Sequence, residues 1–324
     1  MNLTKIEGGG YRIGIPVPFP MKYVYCHLIP RGKEYVLIDV GLNYREARET
    51  WEKVFLSLNI SPSSICEIYL THFHPDHSGL AGWMQEKTGA NVYIHDLDRR
   101  MMHQVWGEDS DQSIRVKTMM KDYGVPVSLS EKIADHMDKL VRKVTPLPTM
   151  HTLPNVVEFD GRSWQVIHAP GHSDGLVCLY DPKKQVLFSA DLILDPITPN
   201  ISVWPGARQN PLHDYLHSLR YIQQFPIRIA YTAHGEPITH VKKRIDQLIQ
   251  HHEQRLSMIR NLASGRTAYE IASILFKKRE LNPHQWRFAM AETIAHLNYL
   301  EFKRKLKKHY MNPKIYYERT LEIS

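Results

Sequence analysis

The 324-residue sequence has only three cysteines, Cys26, Cys66 and Cys178, which lie far apart along the chain and cannot all pair. It lacks an apolar run long enough to cross a membrane, and its first residues lack the apolar stretch of a secretory signal. Repeats and low-complexity segments are also absent. We therefore expect a cytoplasmic protein with reduced thiols and no membrane partner.

The composition, with 43% apolar and 23% charged residues, is that of a globular protein with one large domain or two ordinary ones. Its charge is unevenly placed. Residues 241–324 contain 17 Lys and Arg against 8 Asp and Glu, a net charge of +9, whereas residues 1–240 contain 24 against 26, a net charge of −2. Such asymmetry can indicate binding to nucleic acid or other anions, but it is also typical of a solvated helical face.

Runs of β-formers predict strands before residue 95 and again from residue 156 to residue 232. Residues 97–145 are charged, contain methionines and lack such runs, which predicts a helical insertion. The sequence after Pro237 is helical in pattern, and the TAYE segment at 267–270 is a capping box that should open a helix. We predict an α/β domain over residues 1–240, interrupted by the helical insertion at about 97–145, and a helical module over residues 241–324.

The segment THFHPDHSG at 71–79 places three histidines and an aspartate within six positions, directly after a predicted strand. His72 and His74 would project to the same side of an extended chain and can therefore reach one ion. A proline then bends the chain, so Asp76 and His77 begin a helix and can face a second ion. Imidazole and carboxylate groups suit zinc, manganese or iron. The alternative is a run of histidines satisfied by hydrogen bonds, but metal binding is the usual reason for such a cluster.

Three further candidate ligands each follow a predicted strand, and strand ends are rigid platforms for a site. They are His172 in HAPGHSDG, Asp191 in LFSADLIL and His234 in AHGEP.

Five segments together carry a family resemblance: IDVG (38–41), THFHPDHSG (71–79), APGHSDG (169–175), FSAD (188–191) and AHGEP (233–237). In these segments the sequence resembles the metallo-β-lactamase superfamily, in its glyoxalase-II-like branch of dinuclear hydrolases. The resemblance implies a four-layer αβ/βα sandwich. The C-terminal residues are similar to the winged-helix tail of a mitochondrial ribonuclease of the superfamily and of related bacterial hydrolases.

The resemblance also implies a ligand set for two divalent metal ions, with zinc expected first and manganese or iron as alternatives. His72, His74 and His172 would bind one ion, Asp76, His77 and His234 would bind the other, and Asp191 would bridge them. Asp39 would brace the motif loop, although a carboxylate that caps a turn is an equal alternative.

The implied activity is hydrolysis of a small ester, thioester or lactone by a metal-bridging hydroxide, with Asp76 or Asp191 handling the proton. Asp191 stands where true zinc β-lactamases have cysteine, and His74 where flavodiiron oxygen reductases have glutamate, so neither of those reactions is expected. The rival is a phosphodiesterase or ribonuclease whose basic module holds nucleic acid. A metal-binding regulator would require an incomplete site, and all seven positions are filled. A homo-oligomer is compatible with the sequence.

Substrate contacts are expected from two segments. Asn200 and Trp204 lie in a segment that follows Asp191 and should run over the site. In the helical insertion, Met119 and Met120 should form part of a lid that adapts to apolar substrates.

Other conspicuous residues are expected to be structural. His27, His95 and His168 lie on predicted strands and should be core histidines with satisfied hydrogen bonds. The basic run FKRKLKK at 302–308 should be a solvated helix end or an oligomer contact.

Overall fold

The computed structural model describes residues 2–7, 9–278, 280–311 and 313–320. Two mixed β-sheets face each other and carry helices on their outer faces, which confirms the predicted αβ/βα sandwich. A third, smaller sheet lies in the C-terminal module.

The first sheet has seven strands in chain order, antiparallel from the first to the fourth and parallel from the fourth to the seventh. They are β1 (Asn2–Lys5), β2 (Tyr11–Pro16), β3 (Tyr23–Arg31), β4 (Glu34–Ile38), β5 (Ile65–Tyr69), β6 (Asn91–Ile94) and β7 (Met150–Thr152).

The outer face of this sheet is covered by helices α1 (Arg45–Leu58) and α3 (Ala81–Thr88). A 3₁₀ helix at Pro62–Ser64 precedes β5, and the short helix α2 (Pro75–Ser78) precedes α3. Helix α1 is amphipathic, with Trp51 fully buried, and the indole N–H of Trp51 donates to the carbonyl oxygen of Val40 at 2.8 Å. This bond ties the helix to the loop after β4, which borders the candidate site.

The second sheet has the order β12-β11-β10-β9-β8, with β11 and β12 parallel. Its strands are β8 (Val156–Phe159), β9 (Arg162–His168), β10 (Val177–Asp181), β11 (Val186–Ala190) and β12 (Ile229–Thr232). Helices α7 (Pro211–Ile222) and α8 (Val241–Leu262) pack on its outer face. Side chains from both sheets form the central apolar layer, in which the rings of Tyr69 and Phe159 lie 6.1 Å apart.

The parallel strand pairs explain where the candidate site lies. Strands β4 and β5 run parallel, and so do β11 and β12, so the loops after each pair leave the same edge of their sheet. These loops carry the motifs picked out in the sequence.

The insertion is helical, as predicted, and consists of α4 (Asp96–Trp106), α5 (Gln112–Asp122) and α6 (Val127–Val141). Helix α6 packs against helix α10 of the C-terminal module. The expectation that Met119 and Met120 both adapt to a substrate is wrong for Met120, which is fully buried in an apolar core. Met119 is partly buried and lines a surface cavity.

The C-terminal module contains α8, α9 (Ala268–Leu275) and α10 (Pro283–Phe302), and the capping box at Thr267 is present. The expectation of helix throughout is wrong at three strands, β13 (Ser264–Arg266), β14 (Leu306–Met311) and β15 (Lys314–Arg319). The basic run is therefore a helix end followed by a strand, with aromatic and β-forming residues on that strand.

The division of the chain at residue 240 stays a prediction. One continuous apolar core contains Leu216 of α7, Leu248 of α8 and Ile294 of α10, so the module and the sandwich share buried surface. None of the described helices is both long and apolar enough to span a membrane.

The expectations for three isolated histidines need correction. His27 is buried against Phe188, but its Nε2 has no hydrogen-bond partner among the described residues. His95 caps α4 by accepting from the backbone N–H of Leu97 at 3.2 Å. His168 is exposed and stacks on His95 at 4.3 Å, so neither is a core residue.

Candidate metal centre

The seven predicted ligand side chains lie together at one edge of the sandwich. They come from the loops that follow β5, β9, β11 and β12. The residues are His72, His74, Asp76, His77, His172, Asp191 and His234.

Three imidazoles converge at the first position. His72 Nε2 lies 3.1 Å from His74 Nδ1, which lies 2.8 Å from His172 Nε2. The extended backbone from His72 to His74 places the first two side chains on one side, as the motif spacing predicts.

The second position is formed by a carboxylate and two imidazoles. His234 Nε2 lies 3.3 Å from Asp76 Oδ2, and His77 Nε2 lies 3.9 Å from the same oxygen. Asp76 and His77 stand on the short helix α2, which Pro75 initiates.

Asp191 lies between the two positions. Its Oδ2 is 3.3 Å from His172 Nε2, whereas its Oδ1 is 3.6 Å from His77 Nε2 and 3.7 Å from His234 Nε2. Each oxygen of this carboxylate therefore faces a different cluster.

The donor set fits divalent cations. His77 Nε2, His234 Nε2 and Asp191 Oδ1 are buried and have no hydrogen-bond partner among the described residues. Unpaired buried polar atoms are costly, and these three converge on the second position. A bound cation would satisfy all of them, and imidazole nitrogen and carboxylate oxygen are the ligands that zinc and similar ions take.

The outward-facing nitrogen of four of the histidines is held by a protein oxygen. These contacts orient the rings and direct the inward nitrogen of each at the site, as outer hydrogen bonds do for histidines that bind a metal. They join His72 Nδ1 to Thr71 Oγ1 at 3.0 Å, His77 Nδ1 to Asp39 Oδ2 at 2.8 Å, His172 Nδ1 to the Asn200 carbonyl at 2.9 Å and His234 Nδ1 to the Tyr23 carbonyl at 2.9 Å.

Asp39 braces the motif loop, which confirms that expectation. Its carboxylate accepts from the backbone N–H and the hydroxyl of Thr71, both at 2.8 Å, as well as from His77. Its backbone is left-handed, with φ of 58°, a conformation that aspartate tolerates better than most residues.

The electrostatics of the two positions differ. Burial and the neighbouring imidazoles lower the pKa of His72 and His74. Burial would also lower the pKa of His77, but the carboxylates of Asp191 and Asp39 raise it above its usual range. Burial would raise the pKa of Asp76 and Asp191, but the imidazoles of His77 and His234 hold both below the usual range, so these carboxylates are ionised and available as ligands.

Asp98, which sequence reasoning missed, joins two ligand loops. The side chain is fully buried on α4 and accepts from the backbone N–H of Phe73 at 3.0 Å, the Ser173 hydroxyl at 2.6 Å and the backbone N–H of Gly175 at 2.6 Å. Burial raises the pKa of Asp98 to about 7. Its position in the first turn of a helix resembles ordinary capping, so the sequence holds no signal for this role.

The predicted substrate-side residues have different roles in the structure. Asn200 binds the ligand His172 through its carbonyl, and its side-chain amide donates to Glu292 Oε2 of α10 at 3.0 Å. Trp204 borders two cavities. One is an open cavity of about 380 Å³ that Met119 and Tyr123 also line. The other is a narrow cleft beside His172.

Paired β-sheets between helical layers, with histidine and aspartate ligands at the strand ends, define a class of metal-dependent hydrolytic enzymes. Residues 20–234 match the family model described as the metallo-beta-lactamase superfamily, and the chain belongs to that superfamily. Residues 256–317 match a second model, described as the metallo-beta-lactamase-like C-terminal domain.

Several known proteins are similar over most of the chain. The probable metallo-hydrolase YqjP of Bacillus subtilis (strain 168) is 26% identical, covering 94% of this chain and 96% of that protein. The crystal structure of a metallo-beta-lactamase family protein from Thermus thermophilus has a TM-score of 0.86 and 31% identity, covering 96% of this chain and 98% of that one. An atrochrysone carboxyl ACP thioesterase of Aspergillus fumigatus is 22% identical over 75% of this chain but only 60% of its own length.

The chain is therefore a metallo-hydrolase, and divalent metal ions are the cofactors that its fold implies.

Proposed function

We propose that the protein is a dinuclear hydrolase that cleaves a small ester, thioester or lactone. The observation that carries this proposal is the position of Asp191, whose two carboxylate oxygens face two separate ligand clusters. Zinc is the first candidate, because five of the seven side chains offer imidazole nitrogen.

Two cations bound at these positions would lower the pKa of a water held between them and stabilise negative charge that develops on the substrate oxygen. The chain itself supplies orientation and proton transfer. Asp76 and Asp191 present ionised carboxylates to the centre, and we assign the proton transfer to one of them. The carbonyl oxygens of Asn200 and Tyr23 hold the Nδ1 atoms of His172 and His234, which directs their Nε2 atoms inward.

A carbonyl substrate with a modest acyl chain is supported by the cavities that Trp204 borders. The cleft beside His172 is small, about 10 Å³, and aromatic Phe73 and Trp204 share its lining with polar Ser173 and Asp174. The open cavity of about 380 Å³ on the other side has room for an acyl chain. The similarity to a protein named as a thioesterase supports the same substrate class.

The basic C-terminal module supports the rival function, a phosphodiesterase or ribonuclease. Lys303, Arg304 and Lys307 are exposed near the end of α10, and Tyr310 on β14 is 75% exposed. Helix α10 itself is buried on nearly all sides, so it presents little surface to a groove of nucleic acid. We therefore rank this function second.

The two functions are separated by assaying the metal-loaded protein on thioesters, lactones, phosphodiesters and single-stranded RNA. We expect turnover of a thioester or lactone that is lost after chelation and restored by zinc, together with close to two metal equivalents per chain by elemental analysis. Intact hydrolysis by metal-free protein, or cleavage of RNA with no esterase or thioesterase activity, would contradict the proposal.

A further inference from the structure

Arg287 on α10 is a buried cation without a counterion in the part of the chain that the structure describes. The residue is only 6% exposed, and its Nε has no hydrogen-bond partner there. Within the described ranges, no carboxylate lies within ion-pair distance of the guanidinium, which instead lies over the rings of Phe288 at 4.6 Å and Trp204 at 5.4 Å. Buried arginines are ordinarily paired, because an unpaired charge is costly to remove from water.

Two histidines beside this arginine also have unused polar atoms. His136 of α6 and His284 of α10 lie with their rings 4.7 Å apart, and the Nδ1 of each is buried without a partner. The pKa of His284 is lowered to about 3 by burial, by Arg287 and by His136, so its imidazole is neutral and can act as a hydrogen-bond donor. The first turn of α10 contains no acidic residue that would neutralise this group.

The group lies close to the metal centre. Trp204, which Arg287 covers, lines the cleft that contains His172. The carboxylate of Asp76 is near enough to oppose the lowering of the His284 pKa. The ring of His284 stacks on Phe19, in the loop before β3. The three donors therefore stand between two segments that border the ligands.

The stacking of Arg287 on aromatic rings alone does not account for this arrangement. Cation–π contacts would stabilise the arginine, but they leave the histidine Nδ1 atoms unused. A planar guanidinium offers paired N–H donors that match a carboxylate or a phosphate, and such an anion could also accept from the two imidazoles.

We propose that Arg287, His284 and His136 bind an anionic group of the substrate, a carboxylate or a phosphate, while the scissile carbonyl lies at the metal centre. This inference rests on the proposed hydrolase function and specifies its substrate as an anion-bearing ester or thioester.

The test uses three acyl thioesters of equal acyl length. The first is neutral, the second ends its acyl chain in a carboxylate, and the third carries a phosphate monoester on the thiol side. We expect the wild-type protein to prefer one of the two anionic compounds, and the compound preferred identifies the source of the charge. In Arg287→Met, kcat/KM for that compound should fall by about ten- to a hundredfold, the range of a hydrogen bond to a charged group, while the neutral thioester changes little.

Two further variants guard against misfolding. Arg287→Lys keeps the charge but loses the planar fork, and His284→Phe keeps the stacking on Phe19 but removes the N–H donor. Both should weaken the anionic preference by several-fold. Arg48→Met is the matched control, because Arg48 also lies over a tryptophan, Trp83 at 5.9 Å, but belongs to α1 on the outer face of the first sheet. It should leave the preference unchanged.

An equal loss on all three thioesters in the folded variants, or a wild-type protein without an anionic preference, would overturn the inference. If the wild type hydrolyses no thioester, the proposed function fails, and the anion site is then decided by binding. Calorimetric titration of inorganic phosphate into the metal-loaded protein should show one site more in wild type and in Arg48→Met than in Arg287→Met. Equal stoichiometry in all three would refute the site.

Discussion

The ligand edge of the sandwich and the nearby wall, which Arg287, His136 and His284 form, are built in contrasting ways. At the edge, four histidines have their outward nitrogen held by a protein oxygen, and the unpaired atoms point inward to the metal positions. On the wall, Arg287, His136 and His284 have unpaired atoms with no such outer support. The edge is thus organised for a resident cofactor, whereas the wall keeps buried donors that a transient ligand would satisfy.

The two regions also differ in how the chain assembles them. Each edge ligand follows a strand directly, so short loops place it. The wall combines α6 of the insertion with α10 of the C-terminal module, which meet only through tertiary packing. Changes at the edge should therefore affect all substrates alike, while changes at the wall should affect some substrates and spare others.

The largest effect is expected at Asp191, whose two oxygens face the two proposed metal positions. Asp191→Asn keeps the shape but removes a negative charge and one of the two ligand oxygens, so turnover should fall by roughly a thousandfold, the upper end of the loss typical of a single electrostatic contact. Metal content per chain should also fall, while thermal unfolding stays cooperative. Turnover and elemental analysis measure this.

Asp160→Asn is the matched control. Asp160 lies in the turn between β8 and β9, at the end of β9 far from His172, and asparagine tolerates its left-handed φ of 54°. Its variant should keep both metal content and turnover. If Asp191→Asn also kept full turnover, Asp191 would not bridge the two positions.

The next effect is expected at Asp98, which joins two ligand loops without touching an ion position. In Asp98→Asn, an amide NH₂ group replaces one carboxylate oxygen and faces at least one of the three groups that donate to it. The two ligand loops therefore lose part of the side chain that joins them. Metal affinity or turnover should fall about ten- to a hundredfold, as for other residues that orient ligands. A fall confined to one substrate would contradict an edge role.

Asp98 also predicts a pH dependence of stability. Its pKa is raised in the folded protein, from 3.8 to about 7, so the folded state binds this proton more tightly than the unfolded chain does. The contribution of Asp98 to the free energy of unfolding is therefore full at low pH and is lost as the pH rises through about 7. Denaturant unfolding of Asp98→Asn should lack this component. An unchanged pH profile would show that Asp98 is ionised across that range.

The ligands of the edge could be predicted because each lies at a position that the local sequence pattern determines. The alternation of side chains along a strand places His72 and His74 together, and a proline after them starts the helix that carries Asp76 and His77. Strand ends then supplied His172, Asp191 and His234. The insertion and the capping box followed from apolar periodicity and turn residues, which are also local signals, whereas the sandwich was implied by the family resemblance.

The wall was not predictable because its contacts join distant segments. Nothing near Arg287 in the sequence shows that Trp204 will lie against it, and a histidine on α6 gives no sign of meeting one on α10. The β14–β15 hairpin was missed because its lysines read as a helical surface. Asp98 was missed because its hydrogen-bond partners, Phe73, Ser173 and Gly175, lie far from it in the sequence.

A smaller effect on activity is expected from the adjacent pair Met119 and Met120, which the structure separates into cavity lining and core. Met120→Ala should lower the free energy of unfolding by about 2–5 kcal/mol, because it leaves a cavity in a packed core. Met119→Ala should leave stability nearly unchanged but alter kcat/KM for long acyl chains by a few-fold. Chemical denaturation measures the free energy of unfolding, and a series of thioesters with increasing acyl length measures kcat/KM. If kcat/KM depended on acyl length in the same way in both variants, Met119 would not contact the substrate.

The smallest effect is expected at the basic end of α10 and the start of β14. Neutralising Lys303, Arg304, Lys305, Lys307 and Lys308 together should change kcat/KM for a small ester less than about twofold, because all but the partly buried Lys308 are exposed and exposed charges contribute little. A nucleic-acid substrate predicts a different result. Each phosphate contact adds roughly 0.7 to the slope of log affinity against log salt for a single strand, so binding would weaken steeply in the variant. Salt-sensitive RNA cleavage that is lost in this variant, with no thioesterase activity in either protein, would contradict the proposed function. The substrate would then be a nucleic acid that binds at the β14–β15 hairpin, and Arg287 would not be its binding site.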